Sequence, residues 1–213
     1  MISTNKMIFQ NDSDRSILAR LLEKGIEIIL RKECKKISDL QIKIFASTKQ
    51  IFKGLINKIH IEAKDINYKE LYLDEVDLET EKVNIQFRIN KELKLKNDFS
   101  IDLKIKLSEK SLKRILFSKN WSWIKDLLSR EMLNTNNLDN LKIINDQIEL
   151  EAITGTSKNI ERINIGSKNG KIFLENKSNN KSILIPIEDK VYIKSTDLKD
   201  NSITLLANST VSL

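Results

Sequence analysis

The chain has 213 residues, enough to bury a sizeable core, and 40% of them are hydrophobic, which excludes a disordered polymer. Lysine and arginine number 37 against 30 acidic residues, a formal charge of +7; this admits nucleic acid, an anionic lipid surface or an acidic protein as a partner, and equally a plain solvated lysine-rich surface. Cys34 and His60 are each the only residue of their kind, which excludes an internal disulfide, a thiolate cluster, a multi-histidine zinc site and any Ser-His or Cys-His arrangement not built on His60.

The N-terminal stretch MISTNKMIFQNDSD has no apolar core followed by small residues, and no run of roughly 18 apolar residues follows it anywhere. The expectation is a soluble, non-secreted, cytoplasmic protein that touches a membrane only from its surface. One domain over 1–213 is expected, with residues 1–13 flexible.

The first predicted element is a helix over 14–36, in which Ile17, Leu18, Leu21, Leu22, Ile28 and Ile29 recur at spacings of three, four and seven. Asp12, Ser13 or Asp14 is positioned to cap its first turn, basic residues crowd its last turn, and Gly25 in its middle suggests a close backbone approach or a small bend. The period then drops from about 3.6 to about 2. Ile42, Ile44 and Ala46 alternate; so do Ile59, Ile61 and Ala63 after Gly54. Leu71 with Leu73 and Val76 with Leu78 are further strand pieces, and the switch of apolar parity between 73 and 76 predicts a bulge or tight turn at Asp74-Glu75.

Residues 82–107 form an apolar stripe on odd positions alone: Val83, Ile85, Phe87, Ile89, Leu93, Leu95, Phe99, Ile101, Leu103, Ile105 and Leu107. A two-residue hairpin loop would switch that parity, so an odd loop at Lys96-Asn97-Asp98 is predicted, with Leu95 opposite Phe99 and Asn97 or Asp98 at positive φ. Val83 to Leu95 then becomes one strand of roughly 40 Å. Such a strand implies a sheet that coils strongly or wraps something elongated.

Ser108 is the predicted N-cap of a second helix, with Leu112, Ile115 and Leu116 on its buried side. The helical pattern resumes over 120–133, with Trp121, Ile124, Leu128 and Met132 on one stripe and Trp123 and Leu127 beside it, until Asn134-Thr135-Asn136-Asn137 ends it. Short strands fill the rest, and Pro186 marks an edge strand or a strand end. An α+β domain is the expected class.

Charge is uneven along the chain. Segment 104–119 sets six cations against Glu109 alone, whereas 62–82 sets eight carboxylates against three lysines. The acidic block alternates with strand positions and reads as a solvated face rather than a metal site. His60 lies on the polar phase of its strand with no second histidine or nucleophile nearby, and no phosphate-binding loop, dinucleotide fingerprint or nucleophile elbow occurs.

Gly54 before an alternating strand, a second strand at Leu71 to Leu78, another at Val83 to Phe87, and an apolar strand entering LSEKSL at Leu107 to Leu112 together resemble the LmeA-like bacterial phospholipid-binding family over about residues 40–130. The resemblance implies a tubular lipid-binding-like fold, a long curved antiparallel sheet wrapped around a long amphipathic helix and holding acyl chains, with no catalytic residue to carry over. The expected function is therefore non-enzymatic binding of a phospholipid or other acyl lipid, without a cofactor. Leu18, Leu21, Leu22, Ile29, Ile85, Phe87, Ile89, Phe99, Ile101, Leu103 and Ile105 would line the groove. Lys110, Lys113, Arg114, Phe117, Lys119, Trp121 and Trp123 would meet an anionic membrane surface, since indole favours the headgroup boundary. The rival readings are a scaffold that binds a partner helix or sheet edge and, with less support from the 6% aromatic content, a basic nucleic-acid-binding protein.

Overall fold

The computed structural model describes residues 16–86 and 94–212. The capping candidates Asp12, Ser13 and Asp14, with the rest of 1–13, and the stripe residues Phe87, Ile89 and Leu93, lie outside the described residues.

Helix α1 (Ile17–Glu33) is followed by strand β1 (Asp39–Phe45), the short helix α2 (Thr48–Phe52), and the two longest strands, β2 (Leu55–Tyr68) and β3 (Leu71–Gln86). These strands pair antiparallel from Leu55↔Asn84 to Tyr68↔Leu71, so the turn is Lys69-Glu70, both at positive φ, the backbone geometry that suits the twist of a two-residue hairpin. Of the bulge or tight turn expected at Asp74-Glu75, the turn is absent, because β3 continues through it, while the ladder does lapse beside Asp74.

The parity switch has a different cause. Asp65 and Lys82 adopt left-handed φ inside the strands, and the ladder omits the pairs Asp65/Asp74 and Asn57/Lys82. Apolar residues change parity in both strands at those two levels: Ile56, then Ile59 to Ala63, then Ile66 on β2; Leu73, then Val76 to Thr80, then Val83 on β3. Val83 and Ile56 still share a core with Ile44 and Ile59. One sheet face therefore stays apolar along strands that would otherwise rotate it outward.

Strand β4 (Lys94–Leu95) pairs Leu95 with Ile85 and Lys94 with Gln86, and β5 (Phe99–Ser108) pairs farther along β3. Val83 to Leu95 is thus not one strand, and Leu95 faces Ile85 rather than Phe99. Reversal between Gln86 and Lys94 preserves odd parity just as a straight strand would, so alternation could not distinguish the two. Neither Asn97 nor Asp98 takes a positive φ; Asn97 instead accepts from the Asn84 N–H through Oδ1 and donates through Nδ2 to the Lys82 carbonyl.

Helix α3 (Glu109–Leu116), α4 (Ser122–Leu128) and a π-helical turn (Ser129–Leu133) ended by left-handed Asn134 follow. The chain then builds β6 (Asn140–Ile144), β7 (Gln147–Thr154), β8 (Ser157–Lys168), β9 (Lys171–Asn176) and β10 (Lys181–Leu184), and returns through β11 (Val191–Lys199) and β12 (Ser202–Val211). The first sheet runs β1-β2-β3-β5-β12-β11 with β4 also on β3, and the second runs β10-β9-β8-β7-β6. Pro186 follows β10, which forms an edge. At the joint between sheets, the Ile193 N–H donates to the Gly170 carbonyl at 2.8 Å. Gly170 has φ +74°, and a Cβ there would lie 2.4 Å from the Tyr192 ring, so only glycine fits.

Two cores rest against this framework. The first joins Ala19 of α1 to Ile44, Ile51, Ile56, Val83 and Ile85. The second is larger and packs α3, α4 and the π turn against the second sheet and the far end of the first, with Leu116, Met132, Leu138, Leu141, Leu150, Ile163 and Ile203 almost wholly buried. The α+β class holds, but no sheet is seen wrapped around α1. That helix lies against β1, where Glu23 Oε1 accepts the Ile44 N–H at 2.8 Å. Among the described residues nothing lies within 4 Å of where a Cβ on Gly25 would sit, so none of them requires glycine there for a close approach. Among the described residues no helix is long and apolar enough to cross a membrane.

The entry into α3 follows from the sequence. Ser108 accepts the Ser111 N–H as the N-cap. Asp74 then secures it from β3 by accepting from the Ser108 N–H, from Ser108 Oγ at 3.1 Å and from Ser111 Oγ at 3.0 Å. Glu109 is pushed up by burial, but the Lys113 ammonium and the Ile143 N–H outweigh that and hold its carboxyl below the usual range. Its contribution is present above the ordinary carboxylate pKa and fades as pH falls through the lowered value. Replacing Asp74 with alanine leaves the cap donors of a half-buried helix start unpaired. Urea unfolding of Asp74→Ala is expected to show a loss of about 1–3 kcal/mol; an unchanged midpoint would refute this role.

Candidate functional site: an apolar trough between two cores

The hydrogen-bond register places Ile42, Ile61, Leu78, Leu103, Ala207 and Ile193 side by side across six strands. None of the six belongs to either core. Ala207 and Ile193 are buried, while Ile42, Ile61, Leu78 and Leu103 are half-buried. The parallel row on one side, Ile44, Ile59, Thr80, Ile101, Ser209 and Val191, runs into the first core through Ile44 and Ile59. The row on the other side, Leu40, Ala63, Val76, Ile105, Leu205 and Thr196, runs into the second through Ile105 and Leu205. The central row thus runs between the two cores, half-buried from Ile42 to Leu103 and sealed at Ala207 and Ile193, which makes its half-buried part a candidate trough. At a strand spacing of about 4.8 Å the half-buried part, from Ile42 to Leu103, crosses about 14 Å, close to the roughly 15 Å of one leaflet's hydrocarbon.

The residues expected to line a groove separate into four places. Leu18 and Leu22 pack partly against the first core, with Phe99, and Ile85 is buried in it. Packing that completes the protein's own core removes Ile85 from any ligand surface. Leu21 and Ile29 point outward on α1, 63% and 61% exposed, beside Ile17 and Ile28. Ile101 and Leu103 lie at the trough, and Ile105 at its margin against the second core. Phe87 and Ile89 fall outside the described residues. Sequence reasoning missed Ile42, Ile61, Leu78, Ile193 and Ala207 as a set; each alternates legibly, but only cross-strand register brings them together.

Two of the residues flanking the trough are unusual. The hydroxyl oxygens of Thr80 and Thr196 are buried with no hydrogen-bond partner among the described residues. Such a group costs free energy that an apolar replacement of the same shape avoids.

The polar face of the same sheet is charged in alternation. Lys104 stands opposite Asp77 and Lys106 opposite Glu75, so the basic and acidic segments of the sequence interleave once folded. Hollows of about 430 and 230 Å³ on this sheet are lined mainly by charged and polar residues, Glu79, Glu81, Lys82 and Asp102 in one and Glu62, Lys64, Asp77 and Lys104 in the other. His60 Nε2 sits 2.8 Å from Asp77 Oδ1 and 3.5 Å from Glu62 Oε1, an arrangement without a nucleophile. Among the described residues no group of three His, Cys, Asp or Glu side chains is placed to hold a metal ion. Burial and then Glu33 push the Cys34 thiol up, the reverse of what a nucleophilic thiolate needs.

The residues expected at a membrane gather around α3 and α4. Lys110, Arg114, Phe117, Lys119 and Trp123 are exposed, whereas Lys113 and Trp121 are half-buried. Lys113 pairs with Glu109 at 2.8 Å, and Arg114 stacks on the Tyr72 ring at 3.7 Å. Trp121 packs against the second core and donates through Nε1–H to the Lys69 carbonyl at 3.1 Å.

Comparison with protein-family models, with curated proteins and with solved structures returns no match. The resemblance to LmeA-like proteins rests on the motifs quoted above.

Thr80→Val keeps the side-chain shape and removes the unpaired hydroxyl. Denaturant unfolding of the variant is expected to show a gain of about 1 kcal/mol. A loss of that size would mean that the hydroxyl has a partner in the folded protein.

Proposed function

We propose that this protein is a non-enzymatic lipid-binding module that takes an acyl chain of a phospholipid or similar lipid along the trough. The observation that carries the reading is the row Ile42–Ile61–Leu78–Leu103–Ala207–Ile193, apolar across six strands and part of neither core. Ten methylenes buried there contribute about 8 kcal/mol at roughly 0.8 each, against an association cost that begins near 4 kcal/mol. The resemblance to a phospholipid-binding family supports the same reading.

A scaffold role is the second reading, favoured by the apolar stripe Ile17, Leu21, Ile28 and Ile29 on the outer face of α1. A nucleic-acid role gains nothing from the sheet, because its polar face alternates in sign instead of forming a basic stripe.

Native mass spectrometry of protein incubated with phospholipid vesicles and then separated from them tests the first reading. The wild type should carry lipid at one copy per chain, and Leu103→Glu should reduce that fraction at least about tenfold, because a carboxylate in the trough must be desolvated. Circular dichroism monitors folding in parallel. Wild-type protein that never carries lipid, or a Leu103→Glu variant that loads normally, would overturn the assignment.

A further inference from the structure

Two segments far apart in sequence meet at the β2–β3 turn. The Lys69 carbonyl accepts from both Trp121 Nε1 and Asn120 Nδ2 at 3.1 Å, and the Asn120 N–H donates to the Glu70 carboxylate at 3.0 Å. This clamp fixes the start of α4 against the hairpin tip and consumes the indole N–H of Trp121. It leaves Trp123 38%, Tyr68 38% and Phe117 48% exposed around it. Cations attend two of these rings: the Lys69 ammonium lies 5.1 Å from the Tyr68 ring centre and the Lys125 ammonium 5.8 Å from that of Phe117. Lys119 lies between Phe117 and the clamp, and exposed Arg114 is steadied by Tyr72. The carboxylates nearby are Glu33, which acts on Lys69, Glu70, which accepts from Asn120, and Asp126, while Glu109 is matched by Lys113.

We propose that this end of the molecule docks onto an anionic bilayer surface, with Tyr68, Phe117 and Trp123 entering the headgroup boundary and Lys69, Lys119 and Lys125 meeting lipid phosphates. Exposed rings on a rigid, hydrogen-bonded tip lose little freedom on insertion, and rings with cations beside them match the boundary, where apolar body and charged head are both satisfied. Charge complementarity selects the partner: Lys69, Lys119, Lys125 and Arg114 still exceed the carboxylates Glu33, Glu70 and Asp126, and each lysine near an anionic surface strengthens binding about fivefold. The inference builds on the lipid-binding reading by placing the membrane that would exchange lipid with the trough, yet it stands on different residues.

The two tryptophans of the chain both lie here, so intrinsic fluorescence reports the contact without a label. Full-length protein is titrated with phosphatidylcholine vesicles, with and without phosphatidylserine, carrying brominated acyl chains as quenchers, and sedimentation gives the bound fraction. Expected are a blue shift and quenching with phosphatidylserine only, reversal by high salt, and binding weakened at least about tenfold in Lys119→Glu/Lys125→Glu. Phe117→Ala/Trp123→Phe, whose rings are exposed and can change without disturbing the fold, should also bind more weakly. Leu103→Glu should bind vesicles normally although it no longer carries lipid, and Lys119→Glu/Lys125→Glu should still carry lipid presented in detergent micelles. Those two variants separate failure of the docking surface from failure of the trough. Equal binding to zwitterionic vesicles, or charge reversal without effect, would overturn the proposal; so would a response to soluble polyglutamate but not to vesicles, which would instead indicate an acidic protein partner.

Discussion

The structure depends on the long antiparallel ladder between β2 and β3, which holds a single apolar face in phase from one end of the first sheet to the other. A strand pair of this length presents more apolar surface than one small core can cover. The chain meets the constraint twice, with α1 and α2 at one end and with α3, α4 and the second sheet at the other. Left-handed Asp65 and Lys82 keep both ends on the same face. What neither core takes is the middle row, and that remainder gives the molecule its candidate site.

Local devices make the ends rigid. Gly54, at φ +76°, lies so close to β3 that a Cβ would fall 1.8 Å from the Ile85 carbonyl, and its own carbonyl accepts the Ile85 N–H. Asp74 ties α3 back to β3, and the Lys69 carbonyl ties α4 to the hairpin tip. The central row is therefore flanked by fixed walls, a condition that would favour the proposed binding because little freedom remains to be lost.

Much of this was legible in the sequence, and the failures have physical reasons. Alternation from Phe99 to Leu107 became β5, and Ser108 capped α3, because side-chain period and cap chemistry are local properties. The run from Val83 to Leu95 misled because chain reversal with even separation leaves parity intact. Asp65 and Lys82 gave no warning, since nothing in an Asp or Lys announces a left-handed backbone in mid-strand. Asn145-Asp146 and Asp200-Asn201, both pairs at positive φ between paired strands, were not singled out in the sequence, although Asn and Asp suit such turns. The charge blocks at 62–82 and 104–119 suggested polarity along the molecule, but antiparallel register set them face to face. Tyr68 and Lys69 joined the tryptophan region only through tertiary contacts that no spacing reveals.

The account stands on hydrocarbon occupying the central row, and nuclear Overhauser effects between lipid acyl protons and labelled isoleucine and leucine methyl groups test that most directly. The predicted result is contact with Ile42, Ile61, Leu78 and Leu103, and none with the sealed positions Leu141, Leu150 and Ile163. Acyl contacts confined to Ile17, Leu21 and Ile28 on the outside of α1, or absent altogether at saturating lipid, would contradict it.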